Sequence, residues 1–552
     1  MAGSNKDIKV AVIGAGALGL VTLKNLLEEG FDATGFERKS YVGGLWKYTL
    51  DETTSVLPST VANISKQRGC YTDFPYPDDT PSLCASSYID DYLQSYADHF
   101  QLRPRIRLNT AIRAIKRDDA NNKWHIEVAP TASASDADTE TITFDKLILA
   151  TGTNDKPSVP KIEGMDTFKG QVLHSQTFKK PEDFKDKSVL VVGIGSTAGD
   201  SAVALMGHAR KIYLAHRHGA YILPRLHNGR SIDHGLTYNL MTVQKLMQRF
   251  APNVATNMFT KFAQKIQDTA FPSIHEHPEW RLSPAPSLRQ TFPTVSDELI
   301  PGLESGDIVS VPGLKRVTGP NSVQLDAPKE GDEPMKLDDI DVILFCTGYV
   351  NDLGMSLLEP RVHPARNTNP AWLALPGSRG KPLARLYRNV FSLDYPDSLA
   401  FMGAAAFATP AFQLYDIASM AVAQVWGVEA HNTSTLPPKA EMERHVDEQH
   451  AWILEYARTG PVYPQLTKQF EWLAWADEAA GTNVGANLGW GAQGWTFYLR
   501  NRRLYKLLTS GVYTPHLYRI FPSEKRKAWP GAREAIERMN QQLEDELKTK
   551  KV

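Results

Sequence analysis

Cysteine is scarce in this chain: Cys70, Cys84 and Cys346 are the only three among 552 residues. No two of them form a CxxC or any paired spacing. That excludes a disulfide framework, a zinc site and a reductase working through a dithiol. The three are expected as small buried residues in a reducing compartment. Charge of one sign is also lacking. Lys+Arg number 61 and Asp+Glu 62, for a net charge of −1. A chain so balanced carries no strong basic field to attract nucleic acid or an anionic membrane. Long apolar runs are missing too. The most apolar stretches, 399–412 and 417–428, fall short of the about 20 residues that cross a bilayer. The first seven residues lack a signal-peptide core, and 533–552 is highly charged. The expectation is a soluble, cytoplasmic protein with no transmembrane segment. Asn432-Thr433-Ser434 matches a glycosylation acceptor and, with no leader before it, is read as chance.

What the chain does have is ordinary globular composition, with 42% hydrophobic and 22% charged residues, and a length that suits two or three domains. It also has two glycine-rich loops. Val10 to Ile13 is a short apolar run ending in Gly14-Ala15-Gly16-Ala17-Leu18-Gly19. A helical pattern follows to Glu29, and the next strand ends at Glu37. Val189 to Val192 runs into Gly193-Ile194-Gly195-Ser196-Thr197-Ala198, and its partner strand ends in His216-Arg217-His218. A lone GxGxxG is weak, but strand, loop and helix together make a dinucleotide fingerprint. Glycines let the backbone approach a pyrophosphate, which rests on a helix N-terminus. A carboxylate at the second strand end bonds a ribose hydroxyl, whereas an arginine there accepts a 2′-phosphate. Glu37 therefore points to FAD in the first site and Arg217 to NADPH in the second, with His216 and His218 as assistants. Gly193, Gly195, Ser196 and Thr197, with the residues to Asp200, are expected to cradle the second pyrophosphate. Ala198 stands where the fingerprint has its third glycine, a tolerable replacement. On its own, a strand-end triplet of basic residues is a wet turn; its position gives Arg217 its meaning.

The predicted fold is α/β, with two Rossmann-like domains and the NADP domain inserted into the FAD domain. Expected divisions are 1–182 and 336–552 for the FAD domain, the latter with a C-terminal helical region, and 183–335 for the NADP domain. Residues 223–290 read as an insertion that no pattern places. Leu147 to Gly152 and Asp341 to Gly348 are two strands of one type, each leaving through glycine (Thr151-Gly152 and Thr347-Gly348), and the second is taken as a return to the first domain.

Four further segments carry a resemblance. Phe168-Lys169-Gly170 through His174 to Phe178 resembles the FxGxxxHxxx(Y/F) signature of class B flavoprotein monooxygenases. Gly43-Gly44-Leu45-Trp46, Asp341 to Tyr349 and Thr294 to Leu299 resemble other segments of that group. The ordered set spans residue 8 to about 535, and the chain resembles a flavin-containing monooxygenase (FMO). Position 178 is Phe where Baeyer–Villiger relatives carry Trp, which favours the nitrogen- and sulfur-oxygenating branch.

The resemblance implies NADPH- and O2-dependent oxygenation of an amine or thioether through a C4a-hydroperoxyflavin, with no metal. Ketone oxidation and an uncoupled NADPH oxidase or flavin reductase are the alternatives. It aligns Asn63, followed by Ile64, with the family's active-site asparagine; without it, an Asx turn is the usual job of such a residue. It also sets Leu45 and Trp46 beside the flavin. Gln413 lies in an apolar segment expected to face the flavin. His174 is expected to order the connection between domains, and the glycine-rich run 481–494 is read as either a mobile wall or a plain loop. The partners are a small-molecule substrate and O2; oligomeric state stays open, a homodimer being one option.

Overall fold

The computed structural model describes residues 5–133, 135–288, 290–329, 331–430 and 436–549, so the acceptor-like Asn432–Ser434 lies outside them. Two sheets organise the chain, the first parallel at its centre with an antiparallel edge and the second parallel throughout. The first is built from β1 (Lys9–Ile13), helix α1 (Ala17–Glu28), β2 (Asp32–Phe36), β3 (Ile106–Arg107) and β4 (Lys146–Leu149). After its exposed first residue, Lys9, β1 is apolar and buried because both faces of the sheet are covered. Val10 and Val12 enter one core, while Ala11 and Ile13 enter another on the opposite face.

The second sheet holds β5 (Gln171–His174), β6 (Ser188–Val192), helix α2 (Ser196–Leu205), β7 (Lys211–His216), β8 (Ile308–Pro312) and β9 (Val342–Phe345). Its order is β8-β7-β6-β9-β5, with every pairing parallel. The same two-faced burial recurs: Val189 and Val191 go to one core, Leu190 to the other. The chain then returns to the first sheet through β10 (Leu386–Tyr387), β11 (Phe391–Ser392) and β12 (Leu399–Phe401), giving the order β10-β11-β12-β4-β1-β2-β3. An α/β chain with its second dinucleotide-binding unit inserted into the first is what these ladders describe.

The unit boundaries differ from the expected ones. β5 lies before residue 183 and β9 after 335, yet β9 pairs with both β6 and β5 in the second sheet. A buried apolar strand followed by glycine looks the same in either sheet, and only the ladder decides.

The two crossings between sheets run side by side. Pro157 and Tyr349 form an antiparallel bridge. The Val350 N–H donates to Lys156 O (2.8 Å) and the Ser158 N–H to Gly348 O (2.9 Å).

The insertion contains a helical hairpin, Tyr238–Phe250 followed by Pro252–Ala270, after a small turn segment carrying Asp233. The later helix Ala411–Ala430 lies along α1, where Asn25 Nδ2 donates to Asp416 Oδ1 (2.8 Å). The C-terminal part is clamped to α1 by buried cations. Arg519 pairs with Glu28 (2.5 Å) and Arg526 with Glu29 (3.1 Å). Burial alone would raise the Glu28 carboxyl, but Lys24, Arg519 and Arg526 outweigh it and hold it at about 2.

Candidate active site

Each glycine loop is locked against the strand exit beside it, and in the same way. Gly14 has φ +105°, and a Cβ there would lie 2.6 Å from Ala150 O. Gly193 has φ +139°, and a Cβ there would lie 2.7 Å from Cys346 O. Side chains other than hydrogen fail at both positions for two reasons, the left-handed backbone and the facing carbonyl. Beyond each contact the backbone opens. A Cβ at Gly152, Gly195 or Gly348 would meet nothing within 4 Å. Thr347 and Gly348 thus belong beside the second loop, as Thr151 and Gly152 belong beside the first.

Gly43 and Gly44 lie against the first loop. The Gly43 N–H donates to Ala15 O (3.0 Å), and a Cβ on Gly44 would sit 2.9 Å from Gly16 Cα. The following short helix carries half-buried Leu45 and Trp46, and Trp46 meets Phe412 edge-on at 6.4 Å. Glu37 is buried, not a solvated strand end. Its Oε2 accepts from the Ala15 N–H (2.8 Å) and its Oε1 from the Lys39 N–H (2.9 Å). A carboxylate has about four acceptor positions, so capacity remains for ribose hydroxyls. Ala17 and Leu18 begin α1, and Gly19 lets the helix approach: a Cβ there would fall 1.8 Å from Gly14 O.

At the second site, Arg217 is exposed at the end of β7 and forms no ion pair among the described residues. It lies across Gly313, where a Cβ would come within 2.5 Å of Arg217 Cγ. His216 and His218 differ. His216 is buried, its Nδ1 bonded to His218 O (2.9 Å) and its Nε2 to Ser310 (2.8 Å). Burial pushes its pKa down to about 4, so at neutral pH it offers a phosphate no charge. Ser196 and Thr197 open α2, with Ala198 buried behind them. Asp200 is half-buried and faces Arg225 at 3.8 Å; burial raises its pKa to about 6. His174 holds the crossing: its Nε2–H donates to Gly348 O (3.0 Å), and its Nδ1 accepts from the Gln176 N–H (3.2 Å). That is the neutral tautomer, and burial lowers the ring's pKa accordingly.

Asn63 sits on a loop tied down on both sides. The Ala62 N–H donates to Cys84 O (2.8 Å). The Ser65 N–H and Oγ–H both donate to Asp233 Oδ2 (3.0 Å each). Arg68 Nε donates to Tyr513 O (3.1 Å) and faces Asp233 at 3.9 Å. Ile64 is half-buried beside Asn63. Gln413 is fully buried and donates to the Tyr513 hydroxyl (3.5 Å), which shares a hydrogen bond with the Tyr518 hydroxyl (2.5 Å). Buried polar atoms are nearly always bonded. Asn63 Oδ1, Thr151 Oγ1 and Gln413 Oε1 are buried without a partner among the described residues. Unpartnered buried atoms of this kind are ones a polar ligand would satisfy, and Thr151 with open Gly152 stands beside the first loop.

A family model described as flavin-binding monooxygenase-like matches residues 7–552. The chain belongs to that family. It is 44% identical over 531 residues to "Monooxygenase aurF" of Gibberella zeae, covering 96% of this chain and 97% of the relative. It is 30% identical to human "Dimethylaniline monooxygenase [N-oxide-forming] 4", covering 96% and 87%. Among solved structures, S-allyl-L-cysteine S-oxygenase from Allium sativum aligns with TM-score 0.58 at 20% identity, covering 90% and 94%. Cyclohexanone monooxygenase from Rhodococcus sp. Phi1 bound to NADP+ aligns with TM-score 0.60 at 16% identity, covering 87% and 98%. Both likenesses are of fold. Within this flavin-binding monooxygenase, sequence reasoning missed Asp233, Tyr513 and Tyr518. They reach the Asn63 loop and Gln413 from 168 and 100 or more positions away, and no local spacing announces them.

Proposed function

We propose that this flavoprotein monooxygenase uses FAD in the first site and NADPH in the second, and oxygenates a soft nucleophile, an amine nitrogen or a thioether sulfur. The observation that carries the reading is the pair of matched glycine loops with opposite strand ends. Buried Glu37 suits ribose hydroxyls, and exposed Arg217 suits a 2′-phosphate through charge-assisted bonds. Flavin, when bound, supplies hydride acceptance and oxygen activation.

The chain supplies place and shelter. Gly14 and Gly16 present backbone to one pyrophosphate, Gly193 and Gly195 to the other. Asn63 has both an amide donor and a free acceptor, so it can bridge two ring systems. Tyr71, stacked on Phe412 at 4.9 Å, and Trp46 build an apolar wall that keeps water out. No metal is invoked. Nitrogen or sulfur is favoured over a ketone by Phe178 and by the N-oxide-forming relative at 30% identity. A Baeyer–Villiger oxidation is the second reading, supported by the cyclohexanone monooxygenase fold.

Oxygen-dependent NADPH turnover against paired amines, thioethers and ketones, with product masses, tests both. N- or S-oxides are expected; esters from ketones alone would favour the second reading. NADPH consumption yielding only hydrogen peroxide across the panel would make the chain an NADPH oxidase.

A further inference from the structure

Arg217 leaves β7 at a seam where the two units meet. The strand end is covered by a turn of the insertion: a Cβ on Gly219 would lie 2.0 Å from Leu282 O and 2.8 Å from Pro284 O. The chain beyond that turn docks on the first unit. Buried Gln290 donates through Nε2 to Tyr456 O (2.8 Å) and to Thr459 Oγ1 (2.7 Å), and the Phe292 ring lies 5.6 Å from that of Tyr463. Residues 456–463 in turn fix a tight turn of the first unit. The Val462 N–H donates to Gly377 O (3.0 Å), and a Cβ on Gly377 would fall 2.3 Å from Gly460 O. The turn runs on to Lys381, whose Nζ donates to Tyr349 O (2.8 Å) at the crossing between the sheets.

Arg379 stands in this turn, just after the short helix Pro376–Ser378, with φ +51°. Few residues other than glycine adopt that left-handed backbone, and those that do cluster at ligand clamps. Its side chain is exposed and, like that of Arg217, forms no ion pair among the described residues. The two guanidiniums feel each other across the seam. Desolvation lowers the Arg379 pKa, Tyr463 raises it, and the charge of Arg217 lowers it again; no carboxylate takes part. Asp326 comes near Arg217 at Gly313, its Oδ2 within 2.8 Å of the same Cβ position, so part of the Arg217 charge is already met. Two like charges held together without a shared acid cost free energy that an anion between them recovers. A phosphate dianion has three acceptor oxygens, enough to receive both guanidinium forks.

We propose that Arg379 is a second ligand of the NADPH 2′-phosphate, so that the nucleotide is gripped by one guanidinium from each unit. The proposal rests on the reading that NADPH occupies the second site with its 2′-phosphate on Arg217. It makes preference for NADPH over NADH a joint property of the two units. The dinucleotide fingerprint could not reveal it, because Arg379 comes from a turn remote in sequence.

The test is calorimetric titration of the FAD-loaded enzyme with two probes. Adenosine 2′,5′-bisphosphate carries the 2′-phosphate and no nicotinamide; AMP lacks that phosphate. Arg379→Gln should weaken the bisphosphate about tenfold or more, the loss of one charge-assisted phosphate contact, and leave AMP unchanged. Arg379→Gly, which suits the positive φ, should show the same loss and so removes strain in the turn as its cause. Arg379→Lys should keep part of the affinity. Arg458→Gln, at an exposed arginine on the 456–463 segment, should bind like the parent. Arg217→Ala separates the two claims. If it weakens the bisphosphate while Arg379→Gln and Arg379→Gly bind like the parent, Arg379 is no ligand and the assignment of the second site stands. If Arg217→Ala itself leaves bisphosphate affinity unchanged, the phosphate sits elsewhere and both fall. Equal weakening of AMP by Arg379→Gln, or an equal loss in Arg458→Gln, also overturns the proposal.

Discussion

Asp233 holds the Asn63 loop in place, and replacing it with alanine probes that arrangement from outside the cofactor sites. Its carboxylate accepts from the Ser65 N–H, the Ser65 hydroxyl and the Ser231 hydroxyl, and it faces Arg68 at 3.9 Å. Alanine would strand the Ser65 amide and leave the Arg68 guanidinium, itself 5% exposed, without its carboxylate. Each hydrogen bond to a charged group contributes about 1.5–3 kcal/mol, but bonds sharing one carboxylate do not add. The buried cation deprived of its partner sets the scale, about 3–5 kcal/mol. At about 2 °C per kcal/mol for a large chain, Tm falls by about 6–10 °C. Asn63 then loses its fixed position, and a displacement of about 1 Å costs up to about a hundredfold in rate. The assay is product formed and hydrogen peroxide released per NADPH consumed. NADPH consumption should persist while product per NADPH drops at least about tenfold. A lower Tm with unchanged product yield would show that the anchoring has nothing to do with oxygenation. An unchanged Tm would remove the ion pair from the stability argument.

Asn63→Leu should retain bound flavin, measured by absorbance, and lose product; an undiminished yield would take Asn63 out of the mechanism. Arg217→Ala should raise the KM for NADPH by about 10- to 100-fold, the worth of one charge-assisted phosphate contact, and leave that for NADH nearly unchanged; equal effects on both would refute the phosphate assignment. Asp200 has a folded-state pKa raised to about 6 from 3.8. Its relative stability is full below about pH 4 and lost as pH rises through 6. With the side chain 32% exposed, solvent screening limits the effect to about 1–2 kcal/mol. Asp200→Asn should therefore melt higher than the parent at pH 8 and match it at pH 4; the reverse order would contradict the burial argument. Gly193→Ala puts a Cβ 2.7 Å from Cys346 O at φ +139° and should weaken NADPH binding at least tenfold in a titration, whereas wild-type affinity would mean that the loop need not keep its shape.

Much of the architecture was readable because its determinants are local. A strand, a glycine turn and a helix fit within about 20 residues, and the charge at the next strand end follows soon after. Sheet membership was not readable. Asp341 to Phe345 has the same apolar run and glycine exit as Leu147 to Gly152, and the register that sends it to the second sheet is a long-range choice. His216 and Arg217 were adjacent basic letters, but the strand ends between them: His216 is its buried last residue and Arg217 the exposed first residue beyond it. Residues 223–290 resisted reading because their helices turn apolar residues both inward and outward. Ile266 and Ala263 are buried while Met258 and Phe262 are not, so no single stripe marks a core.

The paired crossings at Pro157 and Tyr349 have a mechanical consequence. Two separate linkers would let one cofactor unit slide past the other. A bridged ribbon, with His174 fastened to Gly348 beneath it, behaves as a single hinge pin. Its bridge resists sliding and yields most easily to rotation about itself. Motion between the two sheets, where it occurs, is thereby directed into rotation about the bridge.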